Sequence, residues 1–116
     1  MDYLDCPFCA RIVNDEFDAD RSNSYGVVFE PLNPVTPGHT LVVCRSHVER
    51  ATASSYLAGR LLELACEVAL RLNEDTNLIT SNGPLATQTV KHLHFHVVPR
   101  RADDGLLLPW SGQARA

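Results

Sequence analysis

Lys91-His92-Leu93-His94-Phe95-His96-Val97-Val98 alternates imidazoles with large apolar side chains. Strand side chains point to opposite faces with a period of two. The pattern therefore predicts a β-strand with His92, His94 and His96 on one face and Leu93, Phe95 and Val97 on the other. A single histidine is usually structural or solvated. Three in register, opposite a face suited to a core, are hard to explain as packing, because each buried imidazole needs partners for both nitrogens. Residues two apart on a strand are separated by about 6.6 Å, and residues four apart by about 13 Å. Zinc holds nitrogen ligands at about 2.0–2.1 Å, so two neighbours in the row can share a metal while all three cannot easily do so. At least one histidine is then free for chemistry.

Outward from this row, Tyr25 to Phe29, Thr40 to Cys44 and Leu78 to Ser81 also read as strands, with β-branched or aromatic residues and turn chemistry nearby. Between the first two, Pro31-Leu32-Asn33-Pro34-Val35-Thr36-Pro37-Gly38 favours a turn that brings the chain back beside itself, which makes the sheet antiparallel. Asn82-Gly83-Pro84 and then Thr87-Gln88-Thr89 lead into the histidine strand. From Ala53 to about Leu72, the residues Leu57, Leu61, Leu64, Ala65, Val68, Ala69 and Leu72 recur at three- and four-residue spacing, as in an amphipathic helix. Thr52, Ser54 and Ser55 are its candidate N-caps, and polar Asn73 to Asn77 ends it. The expected architecture is α+β: an antiparallel, meandering sheet covered by one long helix, with shorter helices near the N-terminus.

The 116 residues fit a single domain, with no linker, repeat or low-complexity segment. A formal net charge of −4 argues against a broad basic face for nucleic acid, so any phosphate must be gripped locally. No apolar stretch approaches the ~20 residues of a membrane span. The opening Met1-Asp2-Tyr3-Leu4-Asp5 lacks the basic and apolar regions of a signal peptide, so the expected location is the cytoplasm. The segment 100–116 changes character: Arg100, Arg101, Asp103 and Asp104 precede Leu106-Leu107-Leu108-Pro109-Trp110. An apolar tail of this kind docks either on the chain's own core or on a partner subunit.

In such a compartment the four cysteines do not suggest a disulfide framework. Cys44 and Cys66 read as core residues. Cys6-Pro7-Phe8-Cys9 resembles a redox motif in isolation, but such a motif follows a complete first strand, and only five residues precede it. Two thiolates and two of the five histidines would instead complete a tetrahedral structural zinc site, with residues 1–10 as a knuckle pinned to the sheet.

At these residues the sequence resembles the histidine triad (HIT) family, whose signature is His-x-His-x-His followed by two apolar residues; His92 to Val98 match it in full. The resemblance extends to Asn33 through Val43, to Arg45-Ser46-His47, to Asn82-Gly83 and to Gln88-Thr89, and so covers most of Cys6 to Arg100. It implies hydrolysis or transfer at the α-phosphate of a nucleoside phosphoramidate, nucleotidyl anhydride or dinucleoside polyphosphate. His94 is then the nucleophile, forming a nucleotidyl-histidine intermediate. His96, His92 and His39 would orient it and bind phosphate oxygens. Thr89 would donate a hydrogen bond to the phosphate or leaving group, and Gln88 and Asn82 would position the phosphates. In zinc-containing members of bacterial type the metal ligands correspond to Cys6, Cys9, His47 and His92, with no catalytic metal. A homodimer and a purine nucleotide ligand are further implications. Relatives commonly carry an acidic residue two positions before the Asn-Pro step for the ribose hydroxyls. Pro31 stands there instead, and adjacent Glu30 would face the other way on a strand, which leaves ribose recognition open. Val98-Pro99-Arg100 looks more like the dinucleoside polyphosphate hydrolase branch than the phosphoramidase branch.

Two other functions fit the histidine row. One is a hydrolase in which zinc on two row histidines activates water, and the other is a nucleotide-binding protein without turnover. Three retained triad histidines argue against the second, since binding alone needs no nucleophile.

Overall fold

The structure, a computed structural model, describes residues 5–108. In order along the chain are helix α1 (Pro7–Val13), strands β1 (Gly26–Phe29) and β2 (Thr40–Cys44), helix α2 (Ser55–Leu72), and strands β3 (Thr76–Ile79) and β4 (His94–Pro99). Single 3-10 turns lie at Ala19–Arg21, Ala51–Ala53 and Pro84–Ala86. The strands form one antiparallel sheet in the order β1-β2-β4-β3. The α+β class and antiparallel sheet are as the sequence predicts, with one detail of order added. Helix α2 carries the chain beyond β2, so β4 returns between β2 and β3 rather than at an edge.

The register assigns the two faces. Directly paired residues share a face, and β2–β4 pairing sets Val43 opposite His94, Val42 opposite Phe95 and Leu41 opposite His96. On one face Val28, Val42, Cys44, Leu93, Phe95 and Val97 pack against Leu61, Leu64, Ala65 and Val68 of α2. On the other, Val27, Phe29, Leu41 and Val43 pack against Cys6, Phe8 and Cys9 around α1. Because both faces are covered, β1 and β2 are buried at every position and read as continuous apolar runs rather than alternating ones. Gly26 permits a close approach of β1 to α2: a Cβ there would stand 2.6 Å from Leu61 Cδ1.

Ser54 caps α2, its Oγ accepting from the Leu57 amide at 3.2 Å, and Asn73 ends the helix in a left-handed conformation with φ 53°. Cys44 is buried as expected, but Cys66 is exposed. It falls two residues after Leu64, off the stripe that α2 presents to the sheet. Strand β3 begins at Thr76, two residues before the predicted start, and stops at Ile79. Beyond that point the Thr80 hydroxyl donates to the His94 carbonyl at 2.7 Å, a side chain taking a position the ladder would otherwise fill.

The segment after β4 is fixed by polar contacts. Arg100 spans Asp104 (2.8 Å) and Asn77 Oδ1 (2.8 Å), while Arg101 binds Glu74 (2.8 Å), Thr36 Oγ1 (2.9 Å) and the Pro37 carbonyl (3.0 Å). The Arg100 guanidinium, with the Arg101 and Leu106 amides, holds the Asp104 carboxyl well below its usual range. Leu107 is exposed, and the docking expected of Trp110 lies outside the described residues.

Candidate active site and metal centre

Pro7 occupies the first turn of α1 and Cys6 is its N-cap, the Sγ accepting from the Cys9 amide at 3.2 Å. The three-residue spacing brings both thiols to one side of the helix start. There they meet His47, in the loop after β2, and His92, just before β4. Cys6 Sγ lies 3.3 Å from His92 Nδ1, Cys9 Sγ 3.1 Å from His47 Nδ1 and 3.5 Å from His92 Nδ1, and the two imidazole Nδ1 atoms lie 3.2 Å apart. These are close to the edges of a tetrahedron around zinc, roughly 3.3–3.8 Å for Zn–N near 2.0–2.1 Å and Zn–S near 2.3 Å. The rest of His92 is arranged to suit. Its Nε2–H donates to the Cys44 carbonyl at 2.6 Å, which leaves Nδ1 unprotonated and aimed at the thiols. Burial also depresses His92 to about 4, keeping the ring neutral, while burial and the neighbouring Cys6 push the Cys9 thiol up to about 12. Two sulfurs and two imidazole lone pairs converging on one buried point form a donor set that fits zinc.

The strand carrying the triad starts at His94 and not at Lys91. The preceding residues bond elsewhere: the His92 amide donates to the Val90 carbonyl (2.9 Å) and the Leu93 amide to the Val48 carbonyl (2.6 Å). His92 is thereby turned toward Cys6, Cys9 and His47 but stays on the α1 side of the sheet, where the Phe8 ring meets both His92 (centroids 5.9 Å) and His94 (5.0 Å) edge-on.

His94 is buried, and its Nδ1–H donates to the His92 carbonyl at 2.6 Å. That bond fixes the tautomer and leaves Nε2 with a free lone pair. Beyond it the tautomers follow in sequence. The Val35 amide donates to His39 Nδ1 (3.1 Å), so His39 carries its proton on Nε2 and gives it to His96 Nδ1 at 3.0 Å. A neutral His96 then holds its proton on Nε2, as a donor. Burial lowers His39, His94 and His96, with His96 brought to about 4, so all three are neutral near pH 7.

Two hollows flank these rings, and His39, His94, His96 and Val35 line both. The larger, about 450 Å³, runs along Phe8, Arg11, Phe29, Pro31 and Leu41 and includes Thr89. The smaller, about 250 Å³, is bounded by Ile79, Ser81, Thr87 and Gln88. Gln88 is largely committed to bracing its own loop: its amide donates to the Glu49 (2.6 Å) and Val90 (3.0 Å) carbonyls and its oxygen accepts from the Gly83 amide (2.8 Å). The structure does not bring Asn82 to either hollow; its Oδ1 accepts from the Thr52 amide at 3.2 Å. Glu30 is exposed and absent from the cavity wall, where Pro31 stands.

The HIT-domain family model matches residues 22–103. The chain belongs to the HIT family. It is 35% identical over 109 residues to an uncharacterised HIT-like protein of Methanocaldococcus jannaschii, covering 86% of this chain and 82% of that one. It is 29% identical over 114 residues to the adenosine 5′-monophosphoramidase HNT1 of Saccharomyces cerevisiae, covering 93% of this chain and 71% of that one. A solved HIT family protein from Bacillus anthracis superposes with a TM-score of 0.81 at 27% identity, over 94% of this chain and 83% of the other. The cavity residues absent from the sequence expectations, Phe8, Arg11 and Phe29, are ones the HIT signature does not contain. A helix started by Pro7 places Phe8 and Arg11 on one face, since they are three residues apart, and that spacing is the signal that could have found them.

Proposed function

We propose that the chain is a nucleotide hydrolase or transferase acting at the α-phosphate of a nucleoside phosphoramidate, nucleotidyl anhydride or dinucleoside polyphosphate, with His94 as nucleophile. The observation that carries this reading is the His94 Nδ1–His92 carbonyl bond, which leaves Nε2 as a neutral, buried lone pair between the two hollows. Imidazole attack needs no hydroxyl deprotonation. The Nε2–P bond forms as the bond from phosphorus to the leaving group breaks. His96 Nε2–H, held in that tautomer by His39, is placed to donate to the phosphate oxygens or to the departing atom. Water or another acceptor then attacks phosphorus and gives its proton to the His96 Nε2 left bare in the first step, the N–P bond breaks and both His94 and His96 are restored. Thr89 lines the nucleoside side and donates to the phosphate, while Gln88 positions the leaving-group side chiefly by shaping the loop. Asn82 contributes through the same loop.

Zinc, when bound by Cys6, Cys9, His47 and His92, supplies a fixed cross-link between α1 and the sheet. Four side-chain donors would fill a tetrahedral ion and would leave no open position for a reacting water, which separates this reading from a metal-activated hydrolase. The relative named as an adenosine 5′-monophosphoramidase supports the choice of substrate class.

The test is kcat/KM across adenosine and guanosine phosphoramidates, mixed anhydrides and diadenosine polyphosphates, followed by rapid quench with the best of them. With a slow second step, a nucleotidyl adduct that is acid-labile and base-stable should accumulate. Turnover with no adduct at any quench time, under conditions where a burst is seen, would count against the covalent step.

We further read the chain as one HIT domain with a C-terminal tail, forming a cytoplasmic homodimer without nucleic-acid or membrane partners. No helix among the described residues is long and apolar enough to cross a membrane. Leu32, Leu70, Leu85 and Leu107 are strongly exposed, apolar surface of the kind isologous pairing covers. Light scattering at micromolar concentration should give twice the 12.8 kDa chain mass; a monomer mass would remove the dimer from this reading.

A further inference from the structure

Among the described residues, the larger hollow contains one permanently charged side chain to which the reaction above gives no part. Phe8, Phe29, Pro31 and Leu41 make the walls around it largely apolar, and no carboxylate among the described residues lines it. Arg11 enters this space from the last turn of α1, its guanidinium lying 4.0 Å from the centroid of the Phe29 ring. Its Nε donates to the Glu16 carbonyl at 3.0 Å, which fixes the plane of the group, while its two η nitrogens have no partner among the described residues. The Phe8 ring stands between this end and the triad, 5.6 Å from Phe29 and 5.0 Å from His94 by ring centroids.

We propose that Arg11 sets base preference, selecting a guanine-type base over adenine through its two free η nitrogens. This rests on the reading of the larger hollow as the nucleoside side of the site. A 5′-phosphate at His94 Nε2 puts the sugar beside Pro31 and the base among the Phe8 and Phe29 rings, with its outer rim toward Arg11. Arginine is a donor only, with a rigid fork. Guanine and hypoxanthine present the adjacent acceptors O6 and N7, which such a fork engages in bidentate fashion. Adenine presents N7 beside an N6 amino group, so one η nitrogen would face another donor. No carboxylate among the described residues stands in the hollow to engage an unmatched guanidinium edge, so adenine forgoes the second hydrogen bond that guanine makes.

The experiment compares guanosine and adenosine 5′-phosphoramidates by kcat/KM, and GMP and AMP by equilibrium titration, for the unaltered protein, Arg11→Met and Arg11→Lys. The unaltered protein should favour the guanine compounds by roughly 5- to 100-fold. Arg11→Met should bring the ratio to within about twofold, chiefly through loss on the guanine side, with melting temperature unchanged. Arg11→Lys, which keeps the charge without the fork, should also lose most of the preference. Equal constants for the two bases in the unaltered protein overturn the inference, as does an Arg11→Met variant that weakens both bases equally, since the arginine would then be reading charge alone. If GMP is preferred over AMP in titration but neither phosphoramidate is turned over, the base assignment stands and the proposed reaction falls.

Discussion

Replacing His94 by alanine should lower kcat by a factor on the order of 10⁴–10⁶ on the best substrate, the scale seen when a covalent nucleophile is removed. The expectation rests on the site offering no substitute. His92 is turned away toward Cys6, Cys9 and His47, with Nε2 bound to the Cys44 carbonyl. His96 has its Nδ1 committed to His39 and its other nitrogen protonated, so it can donate but not attack. The variant should keep its fold, because the sheet ladder at residue 94 is made by backbone and the facing core holds Phe95 rather than His94. Zinc content should be unchanged, and nucleotide binding should persist, since the apolar walls of the larger hollow are untouched. His39→Ala should cost less than His94→Ala, about 10²–10³-fold, by releasing the proton that orders His96. If His94→Ala retains substantial kcat while zinc and fold are intact, the nucleophile is elsewhere and metal-activated water becomes the better mechanism.

Much of this site is legible in the histidine row alone. A period of two fixes faces, and the register agrees: Leu93, Phe95 and Val97 are buried against α2 while His94 and His96 share the opposite side with Val43 and Leu41. Helix α2 is equally readable, because seven apolar positions at helical spacing allow little else. The rest is decided by contacts distant in the chain. His92 looks like its neighbours in the pattern, yet its own amide donates to the Val90 carbonyl and that of Leu93 to the Val48 carbonyl, so the strand starts only at His94 and His92 meets cysteines 83 and 86 positions away. Asn82 sits in the right motif, but its side chain accepts from the Thr52 amide, distant in the chain, and does not line the hollows. For Arg11 the sequence offers only its three-residue spacing from Phe8, and an arginine on a short helix is ordinarily solvated; its placement over Phe29 is what puts it in the cavity wall.

Purified protein should contain one zinc per chain, and Cys6→Ser should lower both zinc content and thermal stability. The basis is the packing of the N-terminal segment. Helix α1 has only seven residues, too few to be stable by itself, and Phe8 is one of its few buried anchors against the sheet. The four ligands tie this helix to the loop after β2 and to the approach to β4, so metal binding is coupled to the order of the whole α1 face. Without a cation, two sulfurs and two imidazole lone pairs stand 3.1–3.5 Å apart in a buried pocket with little besides one another to bond. Loss of the metal should then remove several kcal/mol of stability, less than a free zinc-finger peptide would lose because the α2 side of the core is independent of it. At a few degrees per kcal/mol in a chain of this size, the melting temperature should fall by roughly 10 °C or more in Cys6→Ser or after prolonged chelation. Cys66→Ser is the control: that thiol is exposed on α2, and neither zinc content nor melting should change. Metal analysis and calorimetry on the three proteins decide the matter. Metal-free protein that melts where the zinc-loaded form does would show that α1 is held by Phe8 and its apolar neighbours alone, and the cross-link assigned to zinc would have to be given up.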